Sequence, residues 1–205
     1  MKAMTDKTSP TLAHGFADYG PDANTAFRTC LAAMSRPGTI RPLATDLAPP
    51  APLFATTAAV LLTLADFETR VWLDEPLARH EDVSTFIKFH TGAAIAGDRS
   101  SSQFAVVSDV ATMPEINSFA IGTAEYPDRS TTLVIQVDAL GNSGAVFCGP
   151  GILDEVPFSV APEPRDFAAQ LKRNRAQFPC GADLIFVTKT HVAALPRSIK
   201  LVAEG

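Results

Sequence analysis

The chain has 205 residues, of which 46% are hydrophobic and 19% are charged, and its formal net charge is -5. This composition is typical of a globular protein and differs from that of a disordered chain. The acidic balance argues against nonspecific nucleic-acid binding, which requires a net basic face. One domain of this length buries roughly 70% of the surface that its unfolded chain exposes.

Residues 1–20 are predicted to form a flexible N-terminal arm, since they are mostly polar and contain Pro10 and two glycines. They lack the apolar segment of a secretory signal. The longest apolar stretch, residues 54–67, is too short to cross a bilayer. Three well-separated cysteines without a C-x-x-C pair are typical of a reducing compartment. We therefore expect a cytoplasmic protein with no membrane contact, and a folded domain at residues 21–205.

The first predicted helix begins after Asp22, whose carboxylate can accept from free amides of the next turn. It ends at "SRPG", because Pro37 disfavours helical geometry at Arg36 and Gly38 can adopt the positive φ of a turn. Its apolar residues recur at helical spacing and are expected to form one buried face. They are Ala23, Ala26, Phe27, Cys30, Leu31 and Met34.

Two further helices are predicted in the next part of the chain. The first, near residues 56–66, is expected to be capped by Thr56 or Thr57, and a short strand "RVWL" follows it. The second places Val83, Phe86, Ile87 and His90 on one face and stops at Gly92.

The second half of the chain alternates β-branched segments with one helix, which is predicted to begin near Pro164. Interleaved strands and helices of this kind indicate an α/β protein with a largely covered sheet. The predicted strands are "SQFAVVSD", "TTLVIQVDAL", "AVFCG", "DLIFVT" and "SIKLV".

The string Gly149-Pro150-Gly151 follows a predicted strand, as a phosphate-binding loop would. A dinucleotide-binding motif requires a third glycine and then a helix, and the chain has neither at this point. Pro150 also lacks the backbone donor that a phosphate nest would use. Taken alone, these residues predict a turn.

Candidates for chemistry are few. Arg36 and Arg197 both lie at proline-containing turns, which suit bidentate binding of a carboxylate or phosphate, although composition and spacing alone favour a surface or structural arginine. Cys180 lies in a turn beside a basic helix, whereas Cys30 and Cys148 are predicted to pack in apolar surroundings. The four histidines lack metal-binding spacing, so we expect no metal. His90 lies near a helix C-terminus, which favours an imidazolium.

Seven segments, in order and spacing, resemble the H subunits of the bacterial carbon–phosphorus lyase systems, the PhnH family. They are "FRTCLAAMSRPGTI", "LLTLADFETRVWL", "FIKFHTGA", "IGTAEYPDRSTTLVIQV", "FCGPGI", "FPCGADLIFV" and "ALPRS". The resemblance implies a non-radical subunit of a core complex with G, I and J subunits, in organophosphonate catabolism. That complex forms ribose 1-alkylphosphonate 5-triphosphate from ATP and a phosphonate.

The resemblance also implies a homodimer in isolation and a single three-layer α/β domain with a mixed sheet. This fold would be a reduced version of the pyridoxal-phosphate-dependent transferase fold without the cofactor. The residues agree, because neither Lys88 nor Lys189 is followed by a Gly/Ser-rich phosphate cup. We therefore expect no cofactor.

Positions that match the family motifs are expected to contact a ligand or a partner, and none is predicted to be catalytic. They are Arg36, Gly38, His90, Thr123, Gly149, Gly151 and Arg197. Two alternatives to the subunit hypothesis stay open: a binding module for an anionic metabolite such as a nucleotide or phosphonate, and a stand-alone enzyme that uses Cys180 or His90. The subunit hypothesis predicts an exposed apolar surface.

Overall fold

The computed structural model describes residues 13–204, which form two sheets and five α-helices. The helices are α1 (Tyr19–Ser35), α2 (Ala55–Leu64), α3 (Glu75–Ala78), α4 (Glu81–Thr91) and α5 (Phe167–Ala176). The strands are β1 (Arg41–Pro42), β2 (Arg70–Leu73), β3 (Ala94–Ile95), β4 (Phe104–Val107), β5 (Thr132–Gln136), β6 (Ala139–Cys148), β7 (Val156–Ala161), β8 (Asp183–Val187), β9 (His191–Leu195) and β10 (Lys200–Ala203).

The main sheet has seven strands in the order β1-β9-β8-β5-β4-β2-β3. Its neighbours from β8 to β3 run parallel, whereas β9 pairs antiparallel with both β8 and β1. The sheet is therefore mixed, with a parallel centre. The smaller sheet has three antiparallel strands in the order β10-β6-β7.

Both faces of the main sheet are buried, which explains why its central strands are apolar almost without interruption. On β5 and β8, Val134 and Ile185 belong to a core that also contains residues of α1, α2 and α4. The neighbouring Leu133 and Leu184 point the other way, into a core shared with the small sheet and α5. The protein is thus a three-layer α/β domain.

The structure confirms several predicted elements. Strand β2 covers "RVWL", and β4, β5 and β8 lie within the predicted buried strands. Helix α4 buries Val83, Phe86 and Ile87, and Gly92 ends it in the left-handed conformation with φ 74°. Gly38 also has a positive φ, 74°, at the turn that follows α1.

The prediction for α1 is wrong in two respects. The helix begins at Tyr19 after Asp18, and Asp22 lies inside its first turns, where its carboxylate accepts from the Asp18 amide at 3.0 Å. Phe27 and Leu31 are 44% and 55% exposed, because the face that packs against α2 and the sheet consists of smaller side chains. Those buried residues are Ala26, Cys30 and Ala33.

The predicted caps of α2 and the start of α5 are also wrong. Thr56 and Thr57 are fully buried inside α2, where their hydroxyls donate to the Thr188 carbonyl and to the side chain of Gln136. Helix α5 begins at Phe167 instead of near Pro164. Strands β1, β3, β7 and β9 were not predicted; β1 and β3 have only two residues each, and Pro157 within β7 is typical of an edge strand.

Most of the predicted arm, residues 1–12, lies outside the described residues. Residues 13–18 run along the helical layer, where Ala13 and Phe16 pack against its core. The arm boundary at residue 20 therefore stays a prediction, and the residues just before it are held by contacts.

Candidate functional site

Three turns meet at one end of α1, and we call this place the motif junction: residues 36–38, 149–151 and 196–199. The first turn is bound to β9, because the Gly38 amide donates to the Ala194 carbonyl at 3.0 Å. The second follows β6, where the Ile152 amide donates to the Gly149 carbonyl at 3.1 Å. The junction brings together five of the seven predicted site residues.

Gly-Pro-Gly is a packing turn at this junction. Both glycines have positive φ, 142° for Gly149 and 84° for Gly151. A Cβ on Gly151 would overlap the Ser35 carbonyl oxygen at the end of α1. A Cβ on Gly149 would lie 3.1 Å from the Ile199 Cα. Both positions therefore require glycine for close backbone approach as well as for conformation.

Gly38 is favoured by its backbone conformation and by the close approach of a neighbouring side chain. Besides its positive φ, a Cβ at this position would lie 2.8 Å from Val156 Cγ1 on β7. The turn after α1 thus packs directly against the small sheet. Its neighbour Arg36 is exposed, and no ion pair joins it to a carboxylate within residues 13–204.

Arg197 has a structural role in this structure. Its Nε lies 3.1 and 3.2 Å from the two carboxylate oxygens of Asp183, its Nη2 donates to the same carboxylate, and its Nη1 donates to the Pro127 carbonyl. Both side chains of the pair are only about one-seventh exposed, at 15% and 14%. The guanidinium fork is thus occupied by the protein's own groups.

Thr123 is linked to Arg197 through the loop that both contact. Its hydroxyl accepts from the Tyr126 amide at 3.0 Å, and its own amide donates to the Tyr126 carbonyl at 3.1 Å. The next residue, Pro127, supplies the carbonyl that Arg197 binds. Thr123 therefore closes a turn that borders the junction.

His90 lies away from the junction, in the helical layer. Its Nε2 is 2.8 Å from the Ala13 carbonyl oxygen, and its ring packs against Phe86 and Phe89 at centroid distances of 4.6 and 5.0 Å. Gly15 passes directly over the ring, where a Cβ would lie 2.8 Å from Nδ1. His90 thus holds residues 13–18 onto α4.

The carboxyl ends of the parallel strands carry polar networks that the sequence analysis did not single out. Asp74, after β2, is 3% exposed and accepts from the amides of Leu77, Ser108 and Asp109. Its carboxylate ties the end of β2 to the loop after β4. The signal in the sequence was a polar residue directly after each of two apolar strands.

Gln136, at the end of β5, makes a second network. Its Oε1 accepts from the Phe54 amide and the Thr57 hydroxyl, both at 2.8 Å, and its Nε2 donates to the Pro52 carbonyl. Beside it a shallow cleft of about 260 Å³ opens at the ends of β5 and β8. Lys189 and Asp138 are the charged residues in its lining.

The three free thiols differ in burial. Burial raises the pKa of Cys30 from 9.0 to about 12, only partly offset by a backbone hydrogen bond. Cys148 and Cys180 are half-buried.

Among residues 13–204, no group of three histidine, cysteine or acidic side chains is placed to hold a metal ion. Within the same residues, no helix is long and apolar enough to span a membrane.

The structure is that of a mixed α/β protein in which several of the sequence motifs form turns at one end of α1. The chain belongs to the PhnH family, described as bacterial phosphonate metabolism proteins, whose family model matches residues 14–202.

Two relatives are similar over nearly their whole length. One, from Rhizobium meliloti (strain 1021), is named alpha-D-ribose 1-methylphosphonate 5-triphosphate synthase subunit PhnH. It is 41% identical over 190 residues, which cover 92% of this chain and 94% of the relative. The other is HtxG of Stutzerimonas stutzeri, named as a candidate C-P lyase subunit; it is 33% identical over 189 residues, 90% of this chain and 88% of the relative.

Proposed function

We propose that this chain is the H-type subunit of a ribose 1-alkylphosphonate 5-triphosphate synthase in organophosphonate catabolism. The observation that carries the proposal is the 41% identity to a subunit of the methylphosphonate enzyme, over 92% of this chain. Both chains align almost end to end, so the likeness is not confined to one shared segment. The subunit supports transfer of the phosphonate to the ribose of ATP with release of adenine.

The geometry supports a role that depends on partners. Arg197 binds Asp183 and His90 binds the Ala13 carbonyl, while Cys180, the other residue that a stand-alone enzyme would use, is half-buried. Two of the motif residues are thus engaged in holding the fold. The reacting groups are expected on the assembled complex, whose other members we propose to be the G, I and J subunits.

The test is reconstitution with the G, I and J subunits from the same genome. Adenine release from ATP and methylphosphonate is measured with and without this chain. The proposal expects release only when the chain is present. Full release from the other three subunits would contradict it, as would release by this chain alone.

We further propose that the isolated chain is a homodimer and that it is located in the cytoplasm. Light scattering tests the oligomeric state, and cell fractionation tests the location.

An anionic ligand is a further part of the proposal, supported by Arg36. This guanidinium is exposed at the motif junction and has no ion pair within residues 13–204. It would meet a triphosphate or phosphonate in the assembled complex. Calorimetry of the assembled complex with ATP should lose affinity on Arg36→Gln, and unchanged affinity would remove Arg36 from the ligand site.

We also propose that the fold is a reduced pyridoxal-phosphate-dependent transferase fold that works without the cofactor. Lys189 lies in an open cleft with an acidic neighbour, Asp138, and the sequence around it carries no Gly/Ser-rich phosphate loop. Incubation with pyridoxal phosphate followed by borohydride reduction should leave Lys189 no more modified than other exposed lysines. Stoichiometric modification at Lys189 would contradict this.

A further inference from the structure

Three aromatic side chains on the helical layer are largely exposed, and we call them the aromatic patch: Tyr19, Phe67 and Phe89. They are 63%, 78% and 70% exposed. Single exposed apolar residues need no explanation, but a group of them on one surface marks an interaction site.

A chain of contacts links the three positions on the helical layer. The Phe89 ring packs on His90 at a centroid distance of 5.0 Å, and Gly15 also approaches the His90 ring. Phe16 follows directly, and its ring lies 6.2 Å from that of Tyr19. The backbone and Cβ of Phe67 lie against Gly92, the residue that ends α4 three positions after Phe89. The patch is therefore built on a rigid support instead of on independent loops.

The aromatic patch is large enough to form part of a protein–protein interface. Aromatic side chains carry roughly 150–250 Å² each, so these exposed fractions leave on the order of 400 Å² of surface. That is about half of the ~800 Å² that each partner contributes to a standard protein–protein interface. Phe27 and Leu31 are also partly exposed on α1, but they lie on a different side of the helix from Tyr19 and are not counted in this area.

The charges around the patch indicate what covers it. Phe67 lies between Asp66 and Glu68, and Tyr19 follows Asp18, all of them exposed. Two exposed cations, Lys88 beside Phe89 and Arg70 three residues after Phe67, leave the three carboxylates in the majority. Two copies that meet through the same patch would oppose acidic rim to acidic rim, because a two-fold contact pairs a surface with itself. A partner with basic residues around an apolar groove would complement it.

We propose that the aromatic patch is the docking surface for a different subunit of the synthase, one that presents an apolar groove bordered by lysine or arginine. This inference rests on the proposed function, since it assigns the surface by which the subunit joins its complex. His90 is a positioning residue here: it holds residues 13–18, and hence the start of α1, against α4.

The test is a binding titration of the tagged chain against the purified assembly of the other subunits. The variant Tyr19→Gln/Phe89→Gln should weaken binding by about tenfold or more, as expected when interface aromatics are lost. The control Leu153→Gln removes a 96% exposed leucine. It lies after the Gly151 turn, which packs against Ser35 at the opposite end of α1, and it should bind like wild type. Binding should also weaken as salt is raised, because the proposed rim contacts are charged.

Each outcome decides one point. Failure of the wild-type chain to bind would contradict the proposed function itself. Equal binding by wild type and the double variant, or equal loss in the Leu153→Gln control, would contradict the patch alone. Conversion of an isolated dimer into a monomer by the double variant would show that the patch meets a second copy, which would also overturn the inference. Melting curves confirm that each variant is folded.

Discussion

The motif junction and the aromatic patch lie at the two ends of α1 and differ in how their groups are satisfied. At the junction the glycines make room for neighbouring atoms and Arg197 binds Asp183, whereas Arg36 is exposed. At the patch Tyr19 and Phe89 leave most of their surface in solvent. Residues that the fold needs are held by contacts within the protein, whereas side chains that contact a partner remain exposed in the isolated chain.

The contrast between the two ends of α1 predicts its largest effect at Gly151. The variant Gly151→Val must place a Cβ on the Ser35 carbonyl oxygen at a φ of 84°. We expect a loss of at least about 3 kcal/mol in the free energy of unfolding, because backbone strain and overlap add. Gly97→Val is the matched control, since its Cβ meets nothing within 4 Å. Urea unfolding measures both, and similar curves for the two variants would refute the junction as a packing site.

The next effect is at Arg197. Replacing it with Met leaves the Asp183 carboxylate, 14% exposed, without its partner. We expect a loss of about 3 kcal/mol, since breaking a largely buried ion pair is costly. The double variant Arg197→Met/Asp183→Asn should recover part of this loss. Melting at neutral pH measures it, and an Arg197→Met variant as stable as wild type would mean that the guanidinium is kept for a ligand.

Cys30, buried between the two ends of α1, predicts a pH dependence of the free energy of unfolding. Its pKa is 9.0 when unperturbed and about 12 when buried in α1. Above pH 9.0 the unfolded chain loses this proton while the folded chain keeps it, so stability should fall as pH rises. The thiol alone contributes about 1.4 kcal/mol per pH unit in that window. Unfolding of Cys30→Ala should lack this part of the slope, and parallel slopes would contradict the burial of the thiol.

The smallest effect on stability is expected at the patch. Phe89→Gln alters a side chain that is 70% exposed on a helix, and Gln is a good helix former. The free energy of unfolding should change by less than about 1 kcal/mol. Urea unfolding measures it. A larger loss would mean that Phe89 belongs to the fold, and the contrast between the two ends of α1 would disappear.

The sequence predicted the central architecture because local pattern and tertiary role agree there. The apolar runs of β4, β5 and β8 identify buried strands, and Gly92 ends α4 as its lack of a side chain allows. The Gly149-Pro150-Gly151 turn was also predicted from chemistry, since Pro150 removes a donor.

The errors arise where tertiary context decides. Phe27 and Leu31 occupy helical positions that look like a core face, but α1 packs on the layer beneath it through Ala26, Cys30 and Ala33, with Met34 partly buried beside them. Thr56 and Thr57 look like caps until their hydroxyls meet Thr188 and Gln136, which are distant in sequence. The partner of Arg197 and the aromatic patch likewise depend on contacts between separated segments, which spacing cannot show.

The most direct test of the account is growth on methylphosphonate as the only phosphorus source after deletion of the gene for this chain. The account predicts no growth without the gene, and normal growth on inorganic phosphate. The wild-type gene and the Leu153→Gln control should restore growth on methylphosphonate, whereas Tyr19→Gln/Phe89→Gln should not. Undiminished growth of the deletion strain on methylphosphonate would contradict the claim that this chain is a required subunit.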